Sequence, residues 1–326
     1  MVTARLLGRP HLISRAHLLS IAVATAACFM LAYSSTFIRA RRRRRKIALS
    51  FARDGFVSPL HILSPDEAAA ALAALEVYEV EKGGMLRGDE RFKLHLLFPW
   101  AAKLVRNPQL TEAVAAALGT DNLLVWSSDI NSKPAYSQVY ASAHQDSTYA
   151  KLDPADGALT AWLALSDAPR ESGPLAFVAG SHCLGQIPHT ETRAVDNLLS
   201  LGQCAVGYDD ECHRPHATIA ELKAGEASLH AFRTVHWSGP NLSARRRVGL
   251  AIRYVRADIG RAKGTTRESA TLARGRYEPA QGAFELEAEP QTEAGDAERA
   301  SHAAAMLLER KNYFGGCGDG ANVAYK

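Results

Sequence analysis

Residues 137–149 read SQVYASAHQDSTY. If the run from Ser137 to His144 is a strand continuing through Asp146, residues two apart face the same side. His144 and Asp146 then point together into whatever the strand encloses, and Gln145 points away. Similar β-rich runs surround this one: Asn122–Asn131, Leu159–Leu165, Pro174–Val178, Ala227–Val235 and Val248–Val255, with turn residues between them. Short strands at such spacing predict a sandwich or barrel. The stretch before them reads as one strand, Gly55–Leu63, followed by helices. Ser64-Pro65-Asp66-Glu67 has the form of a capping box with Pro in the first turn, and an Ala/Leu-rich run continues to Glu79. Further helical stretches run over Leu96–Val105 and from Pro108 to Gly119, a C-cap glycine. Helices first and strands after predict a mainly β fold with flanking helices, a jelly-roll core buttressed by the N-terminal helices.

The chain has 326 residues, 47% of them hydrophobic and 22% charged, which suits a globular protein with a sizeable core. Its net charge of +4 is unevenly spread. The first 53 residues hold ten Arg, one Lys and no acid, leaving 27 basic against 34 acidic residues in the remainder. An acidic body speaks against nucleic acid as a partner. Five cysteines (Cys28, Cys183, Cys204, Cys212 and Cys317) form no C-x-x-C and read as free thiols. Leu18–Ile38 is uncharged and is followed by Arg39 and the basic run Arg41–Lys46. Three readings compete: a single-pass anchor holding the body on the cytoplasmic side, an organellar transit peptide, or a cleaved secretory signal. The polybasic run speaks against the last, and membrane association through residues 18–38 follows from the first. The expected organisation is a targeting or anchor segment over 1–49, a catalytic domain over 50–285, and an acidic linker with a short C-terminal tail over 286–326. A helix is expected from about Ala297 to Arg310.

The chemistry rests on two distant pieces. Ferrous iron in oxygenases is held by two imidazoles and one carboxylate on one face, leaving the other face open. His144 and Asp146 supply half of such a set, and alone that pair is a weak signal. His236, in His236-Trp237-Ser238-Gly239-Pro240-Asn241, follows a predicted strand, and Arg247 opens the next one. A guanidinium beside a metal can clamp a carboxylate through two parallel hydrogen bonds, as the far end of 2-oxoglutarate requires.

Taken together, His144-Gln145-Asp146-Ser147-Thr148-Tyr149, Leu159-Thr160-Ala161-Trp162, Gly173-Pro174-Leu175 with Gly180-Ser181-His182, and His236-Trp237-Ser238 with Asn241, Arg247 and Tyr254 resemble the phytanoyl-CoA dioxygenase family over roughly Phe51–Glu285. The resemblance implies a double-stranded β-helix and iron ligands at His144, Asp146 and His236. It also implies 2-oxoglutarate held by Arg247 and Ser238 beside Trp162, with Lys93 loosely matching a basic position that contacts the cosubstrate. The cofactors it implies are Fe(II), 2-oxoglutarate and O2. The reaction it implies is hydroxylation of an unactivated C–H bond in a small organic or lipid-derived substrate, with release of succinate and CO2. A carboxylate at 146 favours hydroxylation over halogenation, because halogenating relatives carry a small residue there. Ala150 stands where members often carry an aromatic, which predicts a differently shaped mouth.

Other residues have blander readings. His230 shares strand parity with His236 and can face inward or simply pack. Arg253 shares parity with Arg247 and reads either as a cavity residue or as half of a structural ion pair. Trp162 can be plain core and Ser238 a turn cap. His182 reads as a turn residue, and His189, His213 and His216 as solvent-facing. Two alternatives to the dioxygenase remain at this level, a cupin-like enzyme with another metal and a non-catalytic jelly-roll binding protein.

Overall fold

The computed structural model describes residues 38–208 and 216–314. Local signals set the helices that flank the sheets. Helix α1 (Pro65–Glu81) starts on the capping box: Ser64 Oγ accepts from the Glu67 amide at 3.2 Å and Glu67 Oε2 from the Ser64 amide at 2.8 Å. Helix α2 is Pro99–Val105. Helix α3 (Pro108–Leu118) is capped by Asn107 Oδ1 on two amides and ends at Gly119, whose φ of 69° is cheap only for glycine.

Two sheets face each other. The larger contains β1 (Phe56–His61), β2 (Leu123–Lys133), β4 (Ala158–Ala164), β7 (Glu226–Ala231), β9 (Arg247–Arg256), β10 (Glu268–Arg274) and β11 (Phe284–Leu286), in the spatial order β1-β7-β4-β9-β2-β10-β11. The smaller contains β3 (Ala141–His144), β5 (Leu175–Val178), β6 (Ala217–Ala220) and β8 (His236–Ser238), in the order β3-β8-β5-β6. All contacts within the smaller sheet, and all but β10–β11 in the larger, are antiparallel. This is the expected jelly roll.

Alternation along the central strands divides the core. Leu159, Ala161 and Leu163 of β4 pack with Leu75, Phe98 and Val114 of the helical layer. The intervening Trp162 and Ala164 join Phe56, Leu175 and Phe177 between the sheets. On β9, Leu250, Ile252 and Tyr254 face the helices, so Arg247, Gly249, Ala251 and Arg253 face the interior of the roll. The fold thereby places polar side chains on a β surface buried on both sides.

Chain packing separates residues 1–46 from residues 47–326. In the first unit residues 38–46 are helical and largely exposed. The anchor expectation is corrected: among the described residues no helix is long and apolar enough to cross a membrane. The run 18–38 itself, save Ile38, lies outside them. Neither the membrane-anchored nor the organellar placement is retained. The acidic stretch is also not the solvated linker its composition suggested. Phe284–Leu286 pairs with β10, and Glu287 is buried, its carboxylate 2.9 Å from Lys93 Nζ and 3.1 Å from His95 Nε2. Helix α5 (Asp296–Phe314) is longer than expected. Neither Cys183 nor Cys204 is in a disulfide. Cys28, Cys212, Cys317 and His213 lie outside the described residues.

Candidate active site

Pairing of β3 with β8 puts His236 opposite His144, and the two rings lie 4.1 Å apart between centroids. Asp146 joins them by a different route from strand alternation. Strand β3 stops at His144, and Asp146 has helical backbone angles and stands just before the short helix α4 (Ser147–Ala150). The turn is pinned by Gln145, whose side-chain amide donates to Gly185 O and Arg233 O and whose Oε1 accepts from the Ile187 amide. Asp146 Oδ1 consequently lies 3.5 Å from His144 Nε2 and 3.9 Å from His236 Nε2. One ligand atom from each residue falls within 4.8 Å of the others, and all three residues are buried.

The protonation states suit a cation. His144 Nδ1 lies 2.8 Å from Ser142 O and His236 Nδ1 2.9 Å from Thr234 O. A carbonyl can only accept, so each Nδ1 carries a proton, and in the neutral ring Nε2 is left with the lone pair. Burial, together with the neighbouring His144 and His230, holds His236 well below the usual imidazole range. Burial opposes ionisation of Asp146, but its facing imidazoles outweigh that and keep the carboxyl well below the usual range. Tyr149 Oη donates to Asp146 Oδ1 and Thr160 Oγ1 to Oδ2. Two imidazoles beside one oriented carboxylate form a donor set for a divalent metal.

Arg247 stands on the adjoining wall, 1% exposed. Its Nη1 donates to Gly173 O at 3.0 Å, its guanidinium carbon lies 5.0 Å from the centre of the Trp162 ring, and its Nε has no partner. Among the described residues no carboxylate pairs with it, and burial pushes it down to about 9. Across the β9–β2 register Arg247 meets Lys133. Lys133 Nζ donates to Ser238 Oγ at 2.7 Å and also to Gly239 O and Gly173 O. Burial, then the charge of Arg247, pushes Lys133 down to about 6. A buried cation without a counter-ion is costly, so this wall fits an anion. Gly249 makes room for the Trp162 ring of this wall: a Cβ there would lie 2.0 Å from it.

Of the third wall, the sequence pointed only to Arg253. Arg91, Asp129, Arg253, Glu309 and Tyr313 line the same pocket as the histidines and Arg247. Arg253 Nη1 donates to Asp129 Oδ2 at 2.5 Å and its Nε to Tyr149 Oη at 3.2 Å, so it is both a cavity residue and half of an ion pair. Burial pushes Glu309 up to about 7.

His144, Asp146, His236, Trp162, Ser238 and Arg247 thus converge on one pocket. Lys93 does not line it: its Nζ donates to Trp126 O, Ser269 O and Glu287 Oε1. The expected cosubstrate contact is corrected to a buried structural ion pair. His230 does face the pocket. His189 is half-buried rather than solvent-facing, accepting from the Gln145 amide at 3.0 Å. Lys133 was missed because it lies beyond the predicted strand Asn122–Asn131, and the strand in fact runs on to it.

Such an interior, an imidazole and carboxylate cluster beside an unneutralised arginine in a jelly roll, defines the class of mononuclear oxygenases that take a 2-oxo acid. The chain belongs to the phytanoyl-CoA dioxygenase (PhyH) family, whose model matches residues 51–249. It is 28% identical over 231 residues to the ectoine dioxygenase of Bordetella bronchiseptica, covering 63% of this chain and 73% of that one. It is 29% identical over 191 residues to a probable alpha-ketoglutarate-dependent hypophosphite dioxygenase of Stutzerimonas stutzeri, covering 56% and 63%. Among solved structures it is similar to the non-heme monooxygenase ThoJ in its apo form, with a TM-score of 0.70 and 32% identity over 82% of this chain and 97% of that one. The protein is an Fe(II)- and 2-oxoglutarate-dependent dioxygenase that acts with O2 on a small-molecule substrate.

Proposed function

We propose that His144, Asp146 and His236 hold the ferrous ion and that Arg247, with Ser238 and beside Trp162, receives the far carboxylate of 2-oxoglutarate. On this reading the enzyme hydroxylates a C–H bond of a small polar organic molecule. The observation that carries it is the buried guanidinium of Arg247, without an acid partner among the described residues, in the same pocket as the two imidazoles and the carboxylate. When bound, ferrous iron with 2-oxoglutarate and O2 supplies an oxidation coupled to release of succinate and CO2.

The protein's own part is positional. The Nδ1–H bonds of His144 and His236 fix the rings and aim Nε2 inward. Tyr149 and Thr160 hold the Asp146 carboxylate. Arg247 orients the cosubstrate along the wall of Trp162, and no side chain is needed as a general base. The third wall supports a polar substrate: Arg91, Asp129, Arg253 and Glu309 stand where a lipid would need apolar lining. The relatives named for ectoine and hypophosphite agree with small polar substrates.

The test is uncoupled turnover of 2-oxoglutarate by purified protein with Fe(II), followed as succinate. Oxygen-dependent succinate is expected from the wild type and none from His144→Ala or His236→Ala. Equal succinate from wild type and His236→Ala would overturn the ligand assignment, and equal 2-oxoglutarate affinity in wild type and Arg247→Met would overturn the cosubstrate site.

A further inference from the structure

His230 lies on β7 in the pocket wall, 1% exposed, and neither ring nitrogen has a hydrogen-bond partner among the described residues. Its ring is 4.3 Å from that of His236 and 5.1 Å from that of Phe177. Its Nε2 is 3.4 Å from Asp146 Oδ2, close enough for an ion pair yet short of hydrogen-bond geometry. A fully buried imidazole with both nitrogens unsatisfied is costly, and packing alone would be served better by an apolar side chain.

Counting acceptors shows what His230 can do. A carboxylate has about four lone-pair positions. At Asp146, Oδ1 takes the Tyr149 hydroxyl and faces Nε2 of both His144 and His236. Oδ2 takes the Thr160 hydroxyl, and the nitrogen nearest its remaining position is His230 Nε2. Direct ligation by His230 fits poorly. A metal with six positions, three of them taken by the protein, needs the other three for a chelating oxo acid and O2.

We propose that His230 is a positioning residue of the metal site: with the metal bound, its Nε2–H holds Oδ2 of Asp146, so that the carboxylate presents Oδ1 alone toward His144 and His236. The inference rests on the ligand assignment above. The Thr160 hydroxyl holds Oδ2 from one side and His230 from the other, which stops the carboxylate from rotating. A rotated carboxylate would offer both oxygens and occupy a position needed by cosubstrate or O2.

The experiment uses the full chain, metal-free, titrated with Co(II) by calorimetry. Infrared difference spectra, metal-loaded minus metal-free with 13C-labelled aspartate, report whether Asp146 binds through one oxygen or two. His230→Phe keeps the volume without the donor, and His230→Gln keeps a donor. His230→Leu is the second donorless variant should the phenylalanine protein fail to fold. The expected result is a roughly 10–100-fold weaker Co(II) affinity in the donorless variants. The separation between the two carboxylate stretches should narrow in them, and both readouts should return toward wild type in His230→Gln. The melting temperature of the metal-free donorless protein should stay near or above that of wild type, because no hydrogen bond is lost. Wild-type affinity and infrared bands in His230→Phe and His230→Leu would overturn the inference while leaving the ligands intact. Unchanged Co(II) affinity in His144→Ala would instead overturn the ligand assignment, and the inference with it.

Discussion

The guanidinium of Arg247 lies over the indole of Trp162, its central carbon 5.0 Å from the ring centre. Among the described residues its Nε has no partner, and its one hydrogen bond is to a carbonyl. The stacking fixes the plane of the guanidinium and so the direction in which it can grip a carboxylate. Arg247→Lys keeps the charge but loses the planar fork and the stack. Loss of about 2 kcal/mol or more of charge-assisted binding is expected, roughly a 30-fold rise in the KM for 2-oxoglutarate. The check is succinate formation against cosubstrate concentration, with Mn(II) affinity unchanged.

Gly249 is required by bulk rather than by backbone angle. A Cβ there would meet the Trp162 ring at 2.0–2.5 Å, and Trp162 is itself 2% exposed. Gly249→Ala should destabilise the fold by about 1–3 kcal/mol, as overpacked cores do, and weaken 2-oxoglutarate binding. Adding Trp162→Phe should restore most of the stability but not the affinity. Denaturant midpoints across this double-mutant cycle read the coupling.

Lys93 separates stability from cosubstrate binding. Its ammonium and the Glu287 carboxylate are 2.9 Å apart and nearly inaccessible. Lys93→Met leaves Glu287 buried without its cation and should cost about 3–5 kcal/mol, with the KM for 2-oxoglutarate unchanged. Burial opposes the charge on Glu287, but Lys93 and His95 hold it below its ordinary value of 4.5. The stabilisation is therefore present above about pH 4.5 and lost as pH falls further. Urea midpoints from pH 3 to 7 should show that loss in wild type and much less of it in Lys93→Met.

Lys133 gives stability the same pH sign in a higher window. Its folded value of about 6 lies below its ordinary 10.5, so between those values the unfolded chain binds a proton that the folded chain does not. Stability from this group rises with pH across that window by as much as about 1.4 kcal/mol per unit. Lys133→Met should flatten the rise seen in wild-type urea midpoints between pH 6.5 and 9. Because Lys133 also donates to Ser238, a few-fold weaker 2-oxoglutarate affinity should accompany the change.

The parts of the fold legible in the sequence are those set by near neighbours. Ser64 and Glu67 cap α1 within four residues, Gly119 ends α3, and His144, His236 and Arg247 sit at strand ends that the turn residues mark. What could not be read depends on distant partners. Asp146 reaches the site through a turn pinned by loop carbonyls, not through strand parity. Glu287 looks like one acid among many, and it is Lys93 and His95 from another part of the chain, with the Ser269 and Thr271 hydroxyls, that make its burial affordable. Lys133 becomes a neighbour of Arg247 only once β2 and β9 are paired.

Glu309 and Tyr313 reach the pocket from α5, beyond residue 249, where the family match ends. On the proposed reading, the metal and cosubstrate residues and this part of the pocket wall occupy different stretches of polypeptide. Exchanging the C-terminal helix between relatives should therefore redirect which molecule is oxidised while leaving oxygen consumption intact, making that helix the natural place to begin retargeting the enzyme.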